Sequence, residues 1–337
     1  MKYHVYVSNS GSLFFSKFLM DSESGEIVQE KEITLDDSAG AVATNGDGSL
    51  MFVVLRNAKI YQSFRVDRSS GRLVSINKVS VSDAGPYLNI DNSDRFLLAA
   101  YYRAGAVSVH AIGDDGSIGK EPLQWIETEE HAHSIQLDRT NRFAYVPHTN
   151  PANAIYQFRF DEKSGELSAN DPHKIQPSTE EGPRHFVFHP TKDLLYSVNE
   201  NGSSVSAHRF NRDNGQLSSF QVVSTLPGDF AGENNTTAEI RMTQDGRFLY
   251  ASNRGHDSLA IFSVNEDGTL VGHGHQPTEA VPRYFDLDPT GKFMLAVGQG
   301  SGRMTTYRID QESGSLDAIA SFDVGDSPLW IQFVPKV

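Results

Sequence analysis

The sequence predicts an all-β chain built from one four-stranded unit repeated in tandem, and three observations predict it. One hairpin signal recurs seven times, a second turn signal recurs six times, and the two chain ends read as the halves of a single unit. The hairpin signal is a polar cluster ending in glycine between two alternating runs: "DSESGEI" at 21, "DRSSGRL" at 67, "GDDGSI" at 113, "DEKSGEL" at 161, "NRDNGQL" at 211, "NEDGTL" at 265 and "DQESGSL" at 310. A chain reverses in this way when one turn residue must take positive φ. The second signal precedes the last six hairpins by 22 or 23 residues, as "NGDGSL" at 45, "DNSDRF" at 91, "DRTNRF" at 138, "HPTKDL" at 189, "TQDGRF" at 243 and "DPTGKF" at 288.

The absent seventh copy falls at the chain ends. "SPLWIQFVPKV" stops where this turn would begin, and "HVYVSN" is the strand that would follow it. Within a unit the runs "HFVFHP", "LLYSVNE", "SVSAHRF" and "LSSFQVV" follow one another with no room for a helix. Seven such antiparallel units, with the last strand paired beside the first, describe a seven-bladed β-propeller occupying residues 1–337 as one domain. Closure of this kind protects the sheet edges.

Composition bounds the function. At 337 residues the chain exceeds the usual size of a domain, which closed β architectures routinely do. Apolar residues make up 38% and charged residues 21%, enough for a sizeable core. The net charge of -14, with no run of Lys or Arg, argues against nucleic acid and anionic membranes as partners. The absence of cysteine excludes disulfides, thiol nucleophiles and thiolate metal sites. The N-terminus enters a strand directly, without an apolar signal core, and no stretch is long enough to span a bilayer. A cytoplasmic monomer without a cofactor is expected.

Aligning the units on their turns puts Gly40, Pro86, His133, Arg184, Ala238, Arg283 and Leu329 in one column, at the start of each innermost strand. The next column holds Ala41, Tyr87, Ser134, His185, Glu239, Tyr284 and Trp330. The ends of the second strands contribute Asn9, Arg56, Tyr102, Thr149, Glu200, Arg254 and Gln299, with His148 in "VPHTN" just before Thr149. These columns are expected to surround one mouth of the channel. Identical blades would repeat one residue per column, but here His, Arg, Glu and Tyr replace one another, which marks a site. Several arginines facing inward in an acidic protein require anionic company, either a carboxylate partner or a ligand. His131 and His133 alternate in "EEHAHSI", which on a strand places both on one face, but no carboxylate completes a metal set; no metal is expected.

The motifs "GPRHFVFHP" followed by "YSVNE", then "DGRFLYASNRGHDSLAIFSV", "PRYFDLDPTGKF" and "SPLWIQFVP" resemble the seven-bladed propeller lactonases. That family includes bacterial 6-phosphogluconolactonase and the fungal 3-carboxy-cis,cis-muconate lactonizing enzyme, and the likeness covers essentially the whole chain. It implies a catalytic set of His133, Arg184, Glu200 and Arg254. His185, Arg283, Tyr102 and His148 are then candidates for binding the substrate. Many relatives carry a histidine in the segment that here reads "AEIRM", where this chain has Arg241.

Lactone opening needs a water activated by a base and a positive or hydrogen-bonding group at the carbonyl oxygen. Glu200 and His133 are both candidate bases. Arg184, Arg254 and Arg283 suit the oxyanion or an anionic substituent. Two arginines would hold Glu200 ionised, while His133 can titrate near neutrality and protonate the leaving alkoxide. The resemblance implies hydrolysis of a sugar-acid lactone, foremost 6-phosphogluconolactone, with a small anionic lactone as partner. A muconate-type cycloisomerase would need the same arginines, and a non-catalytic scaffold is a third reading. Neither Trp125 nor Trp330 is followed by Asp, so the repeat signature of one such scaffold class is missing.

Overall fold

A computed structural model describes residues 1–232 and 234–337. Among these residues, seven antiparallel sheets follow one another along the chain, with no helix between them. Each sheet is a blade; in six of them the first strand lies at one edge and the remaining strands follow in order, and in blade 1 the C-terminal strand takes that edge. Blade 5 is representative: Pro183–Phe188, Leu194–Asn199, Ser204–Phe210 and Leu217–Ser224. The fold is a seven-bladed β-propeller. The pairing expected between the chain ends is present, with Val5 opposite Phe333 and Val7 opposite Ile331 in an antiparallel ladder.

By its contacts the chain divides into two compact units. One is Met1–Val146, Tyr156–Ala169 and Val324–Val337; the other is Pro147–Ile155 and Asn170–Asp323. In the first unit, blade 1 departs from the four-strand expectation. Its outer strand is split into Ile27–Gln29 and Ile33–Thr34, both paired with Phe14–Asp21. Charged residues occupy the break, where Glu30 reaches Lys17 Nζ at 2.8 Å.

The hairpin signal has a packing reason as well as a conformational one. All seven of its glycines, Gly25, Gly71, Gly116, Gly165, Gly215, Gly268 and Gly314, have φ between 70° and 89°. In the second unit, a Cβ at Gly268 would lie 2.3 Å from Leu194 Cδ1 of the preceding blade, and one at Gly314 would lie 2.4 Å from Phe248 Cδ1. Tyr196 and Tyr250 donate hydroxyl hydrogen bonds to the carbonyls of these same glycines, at 2.9 and 2.8 Å. These two hairpin tips are thus blade-to-blade contacts that only glycine fits. In "HPTKDL" the second signal works differently: buried His189 takes the place of the usual aspartate, and its Nδ1 accepts from Thr191 N and Lys192 N at 3.2 and 3.0 Å.

Apolar faces of neighbouring blades form the core. Leu194, Tyr196 and Val198 of blade 5 pack with Ile240, Leu249 and Phe262 of blade 6. Near this core lies a titration device. His208 is buried between Ser197 Oγ at 3.0 Å and Ser219 Oγ at 2.9 Å, and burial lowers its pKa to about 4. The folded chain binds that proton only near pH 4, whereas the unfolded chain binds it near 6.5. The stabilisation is therefore complete above pH 6.5 and is lost as the pH falls from 6.5 towards 4. Burial also lowers His4, His110 and His185, so they act in the same direction. Urea unfolding should show stability falling between pH 7 and pH 5, with His208 contributing on the order of 2 kcal/mol. A flat profile across that window would contradict this.

Candidate active site

The column of divergent residues coincides with a row of β-bulges. Where the innermost strand meets the second strand, Leu329, Gly40 with Ala41, Arg184, Ala238 with Glu239, and Arg283 all fall where the register shifts. A bulge adds a residue, bends the strand and re-aims side chains. This explains how the strand Pro183–Phe188 can begin with charge: Arg184 and His185 are each 2% exposed, and both are held by carboxylates of the second unit.

The local sequence sets up that geometry. Gly182 has φ 66°, and a Cβ there would fall 2.0 Å from Asn201 Oδ1. Its carbonyl accepts from Glu200 N at 2.7 Å, which fixes Glu200 beside the first turn of the Arg184 strand. The asparagines preceding the site residues brace the loops. Asn199 Nδ2 donates to Ser204 Oγ and Ser206 Oγ at 2.8 Å, and Asn253 Nδ2 donates to Thr225 O at 2.8 Å.

Arg184, Glu200 and Arg254 come together. Glu200 Oε2 lies 2.9 Å from Arg184 Nε and 3.2 Å from Arg254 Nη2. Arg184 Nη1 also donates to the carbonyl of Ala238, and Arg254 Nη2 donates to Thr237 O at 2.8 Å. Burial alone would raise the Glu200 carboxyl, but Arg184, Arg254 and Arg283 outweigh it and hold the group below its ordinary range. Arg184 in turn is drawn down to about 10, chiefly by burial. Arg254 Nε is buried without a hydrogen-bond partner. A buried N–H left in this way carries a penalty that an incoming acceptor would relieve.

Behind this cluster lies a second one that the sequence reading did not assign. Glu239 is fully buried, and its Oε2 lies 3.0 Å from His185 Nδ1. Its Oε1 accepts from Ile240 N at 2.9 Å and from Arg241 Nη1. Arg241 continues the chain, donating from Nε to Asp286 Oδ1 at 2.8 Å and from Nη2 to Tyr284 OH at 2.6 Å. Burial raises both Glu239 and Asp286, with Arg241 opposing it in each case. Burial, and then the Arg184 charge, keeps His185 well below an ordinary imidazole, so it is neutral at pH 7. A signal for this network was present in the sequence: Glu239 and Arg241, like Tyr284 and Asp286, stand two apart on innermost strands and so share a face.

In the first unit, Tyr102 gathers the candidate histidines. His131 stacks on its ring at 4.1 Å and His133 meets it edge-on at 5.6 Å. The expected strand over His131 and His133 is absent. His131 sits in a turn with φ 67°, its N–H donating to Tyr102 O, and the strand begins only at Gln136. The alternation therefore reflects two contacts with one aromatic ring and not one strand face. In the second unit, His148 is fully buried at the end of Phe143–His148. Among the described residues, no group of three or more His, Cys, Asp or Glu is arranged to hold a metal ion.

The family model described as lactonase, 7-bladed beta-propeller, matches residues 5–333. The chain belongs to this lactonase family. Curated relatives of this lactonase include the 6-phosphogluconolactonase of Pectobacterium carotovorum, 38% identical over 80% of each chain. That of Serratia proteamaculans is 32% identical over the full length of both. Among solved structures, the periplasmic gluconolactonase of Pseudomonas aeruginosa superposes with a TM-score of 0.91, at 25% identity and full coverage of both chains.

Proposed function

We propose that this lactonase hydrolyses 6-phosphogluconolactone, with Arg184, Glu200 and Arg254 as the centre of the site. The observation that carries the reading is the single carboxylate oxygen of Glu200 shared by the buried Arg184 and the partly buried Arg254 guanidinium groups. Glu200 fixes two cations that would otherwise repel each other. Arg254 Nε, buried and unpartnered, is a donor suited to a lactone carbonyl oxygen, where charge develops as the tetrahedral intermediate forms. In the second unit, Arg184, Arg241, Arg254 and Arg283 stand against Glu200, Glu239 and Asp286. Four guanidinium charges gather here in a protein whose overall charge is -14. This local field favours an anionic substrate, and we assign its phosphate to Arg283, whose charge also bears on Glu200. Curated relatives bearing the 6-phosphogluconolactonase name support the choice of lactone.

The test is a pH-stat assay on freshly generated 6-phosphogluconolactone, corrected for spontaneous hydrolysis. Acid release should rise in proportion to enzyme concentration and saturate with substrate. A rate equal to the enzyme-free control would overturn the reading.

A further inference from the structure

We propose that Asn235 is a positioning residue for this hydrolysis, tying the turn that carries Glu200 to the turn that carries Arg254 and so setting the geometry between those two side chains. The inference rests on the lactonase reading above. Asn235 lies in the second unit, directly before the innermost strand Thr236–Met242 of blade 6. Its side-chain amide makes three hydrogen bonds. Oδ1 accepts from His256 N at 3.1 Å, and Nδ2 donates to Ser203 Oγ at 3.0 Å and to Asn253 Oδ1 at 3.1 Å. The orientation of the amide is fixed, because a backbone N–H can only donate and so takes the oxygen. Asn253 is fixed in the same way: its Nδ2 is given to Thr225 O, which turns its Oδ1 to Asn235.

The three partners belong to two turns. Ser203 is in the turn that carries Glu200, just after Leu194–Asn199, whereas Asn253 and His256 stand on either side of Arg254 and Gly255. The backbone of the same segment adds to the tie. Ser203 Oγ donates back to Asn235 O at 3.1 Å, and a Cβ at Gly255, where φ is 125°, would fall 2.3 Å from Asn234 O. The Arg254 turn therefore rests directly on the segment that carries the amide. Buried Thr225 links the two turns a second time, its N donating to Ser203 O at 2.9 Å and its Oγ1 lying 2.7 Å from Asn253 Oδ1. That link keeps the blades joined without the Asn235 amide, and what the amide adds is precision. Arg254 Nη2 must meet Glu200 Oε2 and Thr237 O at once. A small rotation of the Arg254 turn breaks that arrangement and re-aims the buried Nε that has no partner. A displacement of about 1 Å in a reacting group costs on the order of 10²-fold in rate.

Asn235→Ala tests this by removing all three amide contacts while leaving Thr225 in place. On 6-phosphogluconolactone, kcat should fall by about 10–100-fold with KM changed by less than about threefold, and thermal unfolding should stay cooperative. The readout that separates positioning from a structural role is the Arg254 Nε–H signal in nitrogen–proton NMR of the full-length protein, assigned by its loss in Arg254→Lys. In N235A it should shift and exchange faster with solvent. Ser203→Ala removes one of the contacts and should move the same signal in the same direction, which keeps the test decisive where N235A does not fold. The two substitutions should be non-additive in kcat, because they act on one hydrogen-bond network. An unmoved Arg254 signal, or a kcat of N235A within about threefold of the wild type, would overturn the proposal. The NMR readout needs no turnover, so an inactive wild type whose Arg254 signal still moves in N235A would count against the lactonase reading alone.

Discussion

Removal of residues 329–337 is expected to unfold the chain. The segment supplies Leu329, Trp330, Ile331, Phe333 and Val334, all buried, and Trp330 packs edge-on against Tyr87 of blade 3 at 5.3 Å. Each such side chain contributes about 1.5–3 kcal/mol when buried. Losing five removes roughly 8–15 kcal/mol, as much as the whole stability of an ordinary domain. The deletion also strips the ladder from Lys2–Asn9 and exposes its apolar edge to aggregation. The truncated chain should be insoluble, or should lack a cooperative unfolding transition in circular dichroism. A soluble truncated form with a native melting transition would show that the terminal ladder is dispensable. Val334→Ala is a milder check: this residue is fully buried, and a loss of about 2–3 kcal/mol is expected.

The second large effect belongs to Glu200. Glu200→Gln keeps the shape and one acceptor but removes the charge that holds Arg184 and Arg254 at 2.9 and 3.2 Å. The two guanidinium groups, with the Arg283 charge nearby, should separate, and the carbonyl would lose its oriented donors. Loss of a preorganised donor of this kind lowers turnover by about 10²–10³-fold. Circular dichroism should stay native, because Gly182 O continues to hold the Glu200 backbone. Near-normal turnover would remove the carboxylate from the mechanism and leave the arginines sufficient alone.

Much of this was legible in the sequence, for identifiable reasons. Seven glycines at hairpin tips were readable because positive φ leaves few alternatives, and all seven adopt it. The column containing Arg184 and Arg283 was readable because repeats can be aligned on their turns, even though a bulge cannot be seen in a single strand. What stayed hidden depends on packing between blades. Glu239 was placed in the right column but given no role, since it is joined to His185 on one neighbouring innermost strand and, through Arg241, to Asp286 on the other. Arg241 stands where the family resemblance leads one to expect histidine, and its job becomes clear only when Asp286 and Tyr284 are seen beside it. The turn at His131 escaped notice because a left-handed histidine has no sequence signature of its own.

The central claim is that a cluster of arginines in an acidic chain selects a phosphorylated lactone. Its most direct test is kcat/KM on 6-phosphogluconolactone and on gluconolactone, measured in the wild type and in Arg283→Ala. The wild type should prefer the phosphorylated substrate. Arg283→Ala should lose about 10–150-fold on it, the equivalent of one charged hydrogen-bonding partner worth about 1.5–3 kcal/mol, and should hardly change on the unphosphorylated lactone. Equal values for both lactones in the wild type would contradict the account.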